Sequence, residues 1–213
     1  MKTDKLIAEL VGTATLLISV VGSSFMAAQL TSDRAVALLV NAAVTASTLA
    51  ILIKVFASIS GAHFNPAVSL AALMTKRIEL TAFFGYVIAQ FIGAVFGVLL
   101  ANVMFSNSIL TLSNIERSGT GLIVGESIAT LGLLFLALSA DAKSAWKLIP
   151  LWIFGAYFFT VSTSFANPAV TLSRSLTDAP SGIAISSVPL FVLVQLLAAA
   201  VVAVVFSRKA RHE

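Results

Sequence analysis

The tetrapeptide Asn-Pro-Ala-Val occurs twice, at residues 65–68 and 167–170, and each copy opens an apolar stretch of only about ten residues. A helix that short covers about 15 Å, half of a bilayer's hydrocarbon core. The surrounding chain decides what this means. With 59% hydrophobic and 10% charged residues and a mean hydropathy of +1.03, it cannot cover a water-soluble globule of 213 residues with polar surface. Six other stretches are long enough to cross a membrane, at roughly 6–28, 35–57, 81–105, 121–140, 146–163 and 184–207. The first contains Glu9 and runs on as a full span without a small-residue cleavage site, so it is read as a retained helix. The two short segments must enter the membrane and turn back.

The order span, span, short segment, span is repeated. Glu9 and Thr13 in the first span correspond to Glu126 and Thr130 in the fourth, and Gln90 in the third corresponds to Gln195 in the sixth. The chain is therefore expected to form one membrane domain, 1–213, built of repeats at about 1–105 and 120–213. Three crossings per repeat place the second upside down relative to the first. The short segments then enter from opposite faces.

Each short segment has the chemistry of a helix start. Asn65 and Asn167 are N-cap residues, Pro66 and Pro168 suit the first turn because their missing N–H has no intrahelical partner there, and Ala67 and Ala169 continue the helix. The residues before them, Gly61, Ala62 and His63 and again Thr163, Ser164 and Phe165, would be non-helical at membrane depth. That is tolerated where carbonyls line a wet cavity. Two half-helices meeting at the midplane bring two positive dipole ends and two side-chain amides together, which repels cations and donates hydrogen bonds to neutral solutes.

Charge sets the expected orientation. With a cytoplasmic N-terminus, Lys2, Lys5, Lys54, Lys76, Arg77, Lys143, Lys147, Arg208, Lys209 and Arg211 lie inside, and Arg34, Arg117 and Arg174 outside. Ten against three fits a multi-pass protein of the cell (inner or plasma) membrane with both termini cytoplasmic. Basic residues scattered over membrane flanks do not make a nucleic-acid surface. The chain has no cysteine, and its histidines are His63 and the remote His212, so neither a metal site nor any cofactor is expected. No nucleophile–base pair suggests an enzyme.

The paired SGAHFNPAV and ANPAV motifs, the matched Glu9 and Glu126, and six spans at this spacing resemble the aquaporin and aquaglyceroporin superfamily, the major intrinsic proteins. The resemblance implies an all-α hourglass of six transmembrane helices and two re-entrant half-helices, a pore in each protomer, and a homotetramer. It also implies that Glu9 and Glu126 support the loops, and that carbonyls of Gly61, Ala62, His63, Thr163 and Phe165 line the pore. Members usually carry Arg three residues after the second Asn; here Val170 stands there. Spacing carries the other filter positions to Thr45, Gly155 and Ser164, all small and uncharged. Arg174, two helical turns past Asn167, is read as reaching the outer interface or pairing with Asp178 rather than turning back to the pore. The resemblance thus points to a wide channel for glycerol-like polyols, neutral metalloid acids and water. An alternating-access transporter with inverted repeats and a strictly water-selective channel are the competing readings.

Overall fold

The computed structural model describes residues 2–141 and 143–209; Arg211 and His212 lie outside the described residues. Its helices follow in the order α1 (Thr3–Leu30), α2 (Arg34–Phe56), α3 (Pro66–Met74), α4 (Leu80–Met104), α5 (Thr120–Ser139), α6 (Ala145–Phe159), α7 (Pro168–Ser173) and α8 (Val188–Lys209). Short 3-10 turns at Arg174–Leu176 and Ile185–Ser187 complete the all-helical architecture. α1, α2, α4, α5 and α8 are long and apolar enough to cross a membrane. α3 and α7 are the half-helices, and they start where the Asn-Pro pairs stand.

α6 is shorter than expected, 15 residues from Ala145 to Phe159. The expected span 146–163 stops early because Thr160 turns to extended backbone (φ −114°, ψ 139°) and its hydroxyl takes the carbonyl of Ala156 at 2.6 Å. Pro150 inside α6 removes one further intrahelical bond. Thr160 to Ala166 then carry the chain inward as the second re-entrant loop.

The molecule is inside out relative to a soluble protein. Glu9, Thr13, Gln90, Asn102, Glu126, Thr130 and Gln195 have no exposure, whereas Ile88, Ile92 and Phe96 form an exposed stripe along α4 at i, i+4 and i+8. Burying polar groups is tolerable only when they bond one another, and exposing apolar ones is tolerable only in lipid. Asn102 illustrates the rule: its amide donates to Ile109 O (3.1 Å) and Leu176 O (3.0 Å) and accepts from the Thr177 hydroxyl (2.6 Å).

α1 and α4 pack closely because α4 carries Gly93 and Gly97 on the contact. A Cβ at Gly93 would lie 2.3 Å from the carbonyl oxygen of Leu10, and one at Gly97 would lie 2.4 Å from that of Ala14. Small residues let helix backbones approach in this way in membranes. Gly93→Val is expected to destabilise the protein by about 1–3 kcal/mol or more through overpacking against backbone that cannot yield. A lowered unfolding midpoint in detergent checks it; an unchanged midpoint would refute the close packing of α1 on α4.

Candidate functional site

The two re-entrant loops are strained by design of their sequence. Ala62 (φ 52°) and Phe64 (φ 48°) in the first, and Thr163 (φ 58°), Ser164 (φ 53°) and Ala166 (φ 48°) in the second, occupy the left-handed region without being glycine. Such residues cost of order 1–2 kcal/mol each and persist only where the surroundings hold them.

Two carboxylates do the holding. Glu9 accepts from the Ser60 hydroxyl (2.6 Å) and the His63 N–H (3.0 Å) through Oε1, and from the Phe64 N–H (2.6 Å) and Gln90 Nε2 (2.8 Å) through Oε2. Glu126 accepts from Ala166 N–H (2.6 Å) and Gln195 Nε2 (2.6 Å) through Oε1, and from Phe165 N–H (3.2 Å) through Oε2. Gln90 also donates to the Ser69 hydroxyl (3.0 Å), and Gln195 to that of Thr171 (2.8 Å), tying each carboxylate to its own half-helix. The repeat seen in the sequence is a repeat of hydrogen bonds.

At the ends of the loops the asparagines do two jobs each. Asn65 Oδ1 accepts from Ala67 N–H (2.8 Å), and Asn167 Oδ1 from Ala169 N–H (2.9 Å) and Val170 N–H (3.3 Å), so both cap their half-helices. With the oxygens facing N–H groups, the amide nitrogens must face the other way. Asn65 Nδ2 donates to Ala166 O (2.7 Å) and Asn167 Nδ2 donates to Phe64 O (2.8 Å), each reaching the opposite loop. One N–H of each amide remains beyond this clasp, and both asparagines line the central cavity.

That cavity has a volume of about 510 Å³. It extends from Lys5 and Arg77, on the face where the chain starts, past Asn65 and Asn167 to Val170 and Arg174 toward the opposite face. Gly61, Ala62, His63 and Phe165 are on its wall, as are Phe64, Ser164 and Ala166. His63 is held by Nδ1 against the Ser69 hydroxyl (3.0 Å) and by an edge contact with the Tyr86 ring. Thr163 is not among the residues that line this cavity, whose wall in the second loop includes Ser164, Phe165 and Ala166.

Of the four expected filter residues, Thr45, Ser164 and Val170 meet at the cavity, and Gly155 does not. On α6 the wall is formed by Ala145, Ile149, Ile153 and Tyr157, one residue per turn. Gly155 lies two residues from each of the last two, about 200° round the helix. Its nearest neighbour is the ring of Phe159, which is exposed to the outside of the molecule. Tyr157 takes the position instead, and its hydroxyl lies 3.3 Å from Thr45 Oγ1. The cavity wall around Thr45 is therefore not made of small residues alone.

Arg174 is also corrected. It is 2% exposed, lines the cavity, donates through Nε to Ser181 O (2.5 Å), and stacks on Phe165 with Cζ 3.6 Å from the ring centroid. Neither the interface nor Asp178 holds it. The reason is that α7 ends at Ser173 and a 3-10 turn begins at Arg174, which changes the angle at which its side chain leaves the helix.

The sequence pattern of the family described as MIP, major intrinsic protein, matches residues 2–161. The chain belongs to the major intrinsic protein family. It is 42% identical over 200 residues to the aquaglyceroporin AqpS of Rhizobium meliloti (strain 1021), covering 92% of this chain and 86% of that one. Aquaporin NIP3-1 of Arabidopsis thaliana is 30% identical over 152 residues, covering 66% of this chain and 46% of the relative. The fold matches the X-ray structure of the aquaglyceroporin from Plasmodium falciparum with a TM-score of 0.73 at 22% identity, over 96% of this chain and 93% of that chain. This major intrinsic protein is a passive membrane channel and not an enzyme.

Three contributors went unread in the sequence of this major intrinsic protein: Tyr157, and the carbonyls of Phe64 and Ala166. The carbonyls carry no side-chain signal. Tyr157 could have been found from the i, i+4, i+8 row with Ile149 and Ile153, were α6 not apolar on every face.

Proposed function

We propose that the chain conducts glycerol-like polyols, water and other small uncharged solutes, neutral metalloid acids among them, down this cavity. The observation that carries the reading is the meeting of both half-helix starts and both asparagine amides on one continuous cavity wall. Positive dipole ends and N–H donors suit neutral oxygen-bearing solutes and disfavour cations. Val170 supports the admission of solutes larger than water, because a valine there leaves room that a guanidinium would fill. The printed name of the Rhizobium relative supports the same class. Stopped-flow light scattering of proteoliposomes with water, glycerol, urea and an uncharged metalloid acid tests it; water flux without glycerol flux would return the strictly water-selective reading.

Asn167→Asp separates the pore role from the cap role. Aspartate still offers an oxygen to Ala169 and Val170, so the protein is expected to assemble. It loses the donor to Phe64 O and puts a negative charge at the midplane, so cation leak is expected to rise. A variant that assembles and stays as cation-tight as wild type removes Asn167 from the pore.

The orientation follows from the ten-to-three bias, with both termini cytoplasmic in the cell membrane. Asn114 lies on the connection between α4 and α5 and is exposed, whereas its neighbour Ser113 is buried. In this cysteine-free chain, Asn114→Cys is expected to react with an impermeant thiol reagent added outside intact cells. Reaction only after lysis reverses the topology. The family resemblance supports a homotetramer with one pore per protomer, which native mass spectrometry of the detergent-solubilised protein tests.

A further inference from the structure

The end of the cavity remote from the chain termini carries the guanidinium of Arg174, and that of Arg117 lies over the same aromatic ring; passage of neutral solutes requires neither. Arg174 comes from the turn after α7. Arg117 comes from the connection between α4 and α5, with Cζ 4.9 Å from the centroid of the same Phe165 ring that Arg174 covers. Arg117 donates through Nε to Gly182 O (2.9 Å) and reaches Pro180 O at 3.5 Å through Nη2. Part of their role is thus to pin the segment 180–182.

That role leaves most of Arg174 unused. A guanidinium has five N–H donors. Ser181 O takes the Nε–H, and among the described residues the four Nη–H donors have no hydrogen-bond partner, although the side chain is almost wholly buried and lines the cavity. Among the described residues no carboxylate is hydrogen-bonded to either arginine. Glu116 and Asp178, the carboxylates nearest in sequence, are exposed and bonded to neither arginine. Glu126 is committed to Phe165, Ala166 and Gln195. The carboxyl end of α7 offers only partial charge. The Nη atoms of Arg174 open onto the cavity, and the hydroxyls of Ser164 and Ser181 on the adjoining segments are buried without partners. A buried cation with free donors and no directly bonded anion is costly until something in the cavity answers it.

We propose that Arg174, assisted by Arg117, binds a small carboxylate-class oxyanion at this mouth of the pore, and that the bound anion obstructs solute entry. The proposal rests on the cavity being the conducting path. The planar Nη donors of Arg174 match a carboxylate in two-point fashion, and Arg117, over the same Phe165 ring, adds a second positive charge nearby. Water can satisfy the donors but not the charge, so the anion is the better guest. The mouth is then a place where a metabolic acid competes with neutral cargo.

Formate is a suitable probe, compared with chloride at equal ionic strength. For the wild-type protein, formate is expected to raise the unfolding midpoint in detergent. It should also cut glycerol entry into proteoliposomes about threefold at a concentration of about twice its Kd. Arg117→Gln is expected to weaken both effects, Arg174→Gln to abolish them, and Arg174→Lys, which keeps the charge without the planar fork, to fall between. Formate effects that are absent in wild type, or equal in wild type and Arg117→Gln, overturn the proposal; Arg117→Gln decides alone if Arg174→Gln does not fold. Formate stabilisation that disappears in the variants, with no glycerol flux through wild type, keeps the anion site and removes the pore reading instead.

Discussion

Glu9→Ala is expected to leave four buried or part-buried donors without an acceptor: the Ser60 hydroxyl, the N–H groups of His63 and Phe64, and one N–H of the Gln90 amide. At about 1 kcal/mol or more for each orphaned donor, the loss is about 4 kcal/mol. That is a large part of the stability of a typical domain, about 5–15 kcal/mol. Relief of the buried charge offsets some of it, but the left-handed residues Ala62 and Phe64 also lose what holds them. Glycerol flux should fall to the background of empty liposomes and the unfolding midpoint should drop sharply. Glu126→Ala orphans three donors and is expected to be damaging to a lesser degree. Retention of wild-type flux by Glu9→Ala would show that the loop is held by other means.

Val170→Arg is expected to narrow the channel more than any other change at the constriction. Val170 is buried on the cavity wall with Thr45, Tyr157 and Ser164, and Arg174 lies one turn beyond it. A guanidinium there fills lumen next to Tyr157 and adds a fixed cation below one already present. Glycerol permeability should fall about tenfold, equivalent to a barrier raised by about 1.4 kcal/mol, with water flux reduced less. The ratio of the two permeabilities in the same proteoliposomes is the measurement. An unchanged ratio would place selectivity elsewhere, with Tyr157 and Arg174 the residues to exchange next.

The spans and half-helices were readable in the sequence because the bilayer imposes lengths and because Asn-Pro is an unambiguous helix start. The matched Glu, Gln and Thr positions were readable because a polar residue in an apolar span must have a partner, and the same partner was required twice. Gly155 and Arg174 were misread for one physical reason. Both were placed by counting along the chain from Asn167, and the count runs through segments that are not regular helix. Between Gly155 and Asn167 lies the end of α6 and an extended loop, so a difference of two residues turns the side chain by more than half a revolution. Past Asn167, six residues of α-helix give way to a 3-10 turn before Arg174 is reached. Val170 escaped this because the residues between it and Asn167 are regular helix, whereas Thr45, counted from Asn65 across the irregular stretch 57–64, reached the wall all the same.

The clasp between the two asparagines and the opposing carbonyls also bears on how the protein is made. Asn65 and Ala166 are 101 residues apart in sequence, and Asn167 and Phe64 are 103 apart. Neither bond can form until the second half of the chain has been synthesised and inserted. During that interval the Asn65 amide and the Phe64 carbonyl sit at membrane depth with no protein partner, which is tenable only while water or the insertion machinery covers them. Contacts of such long range form late because the chain entropy of closing them is lost before they repay it. The aperture at the centre of the molecule is consequently among the last parts to be completed, and a nascent chain halted after α4 holds an unfinished polar tip rather than half a channel.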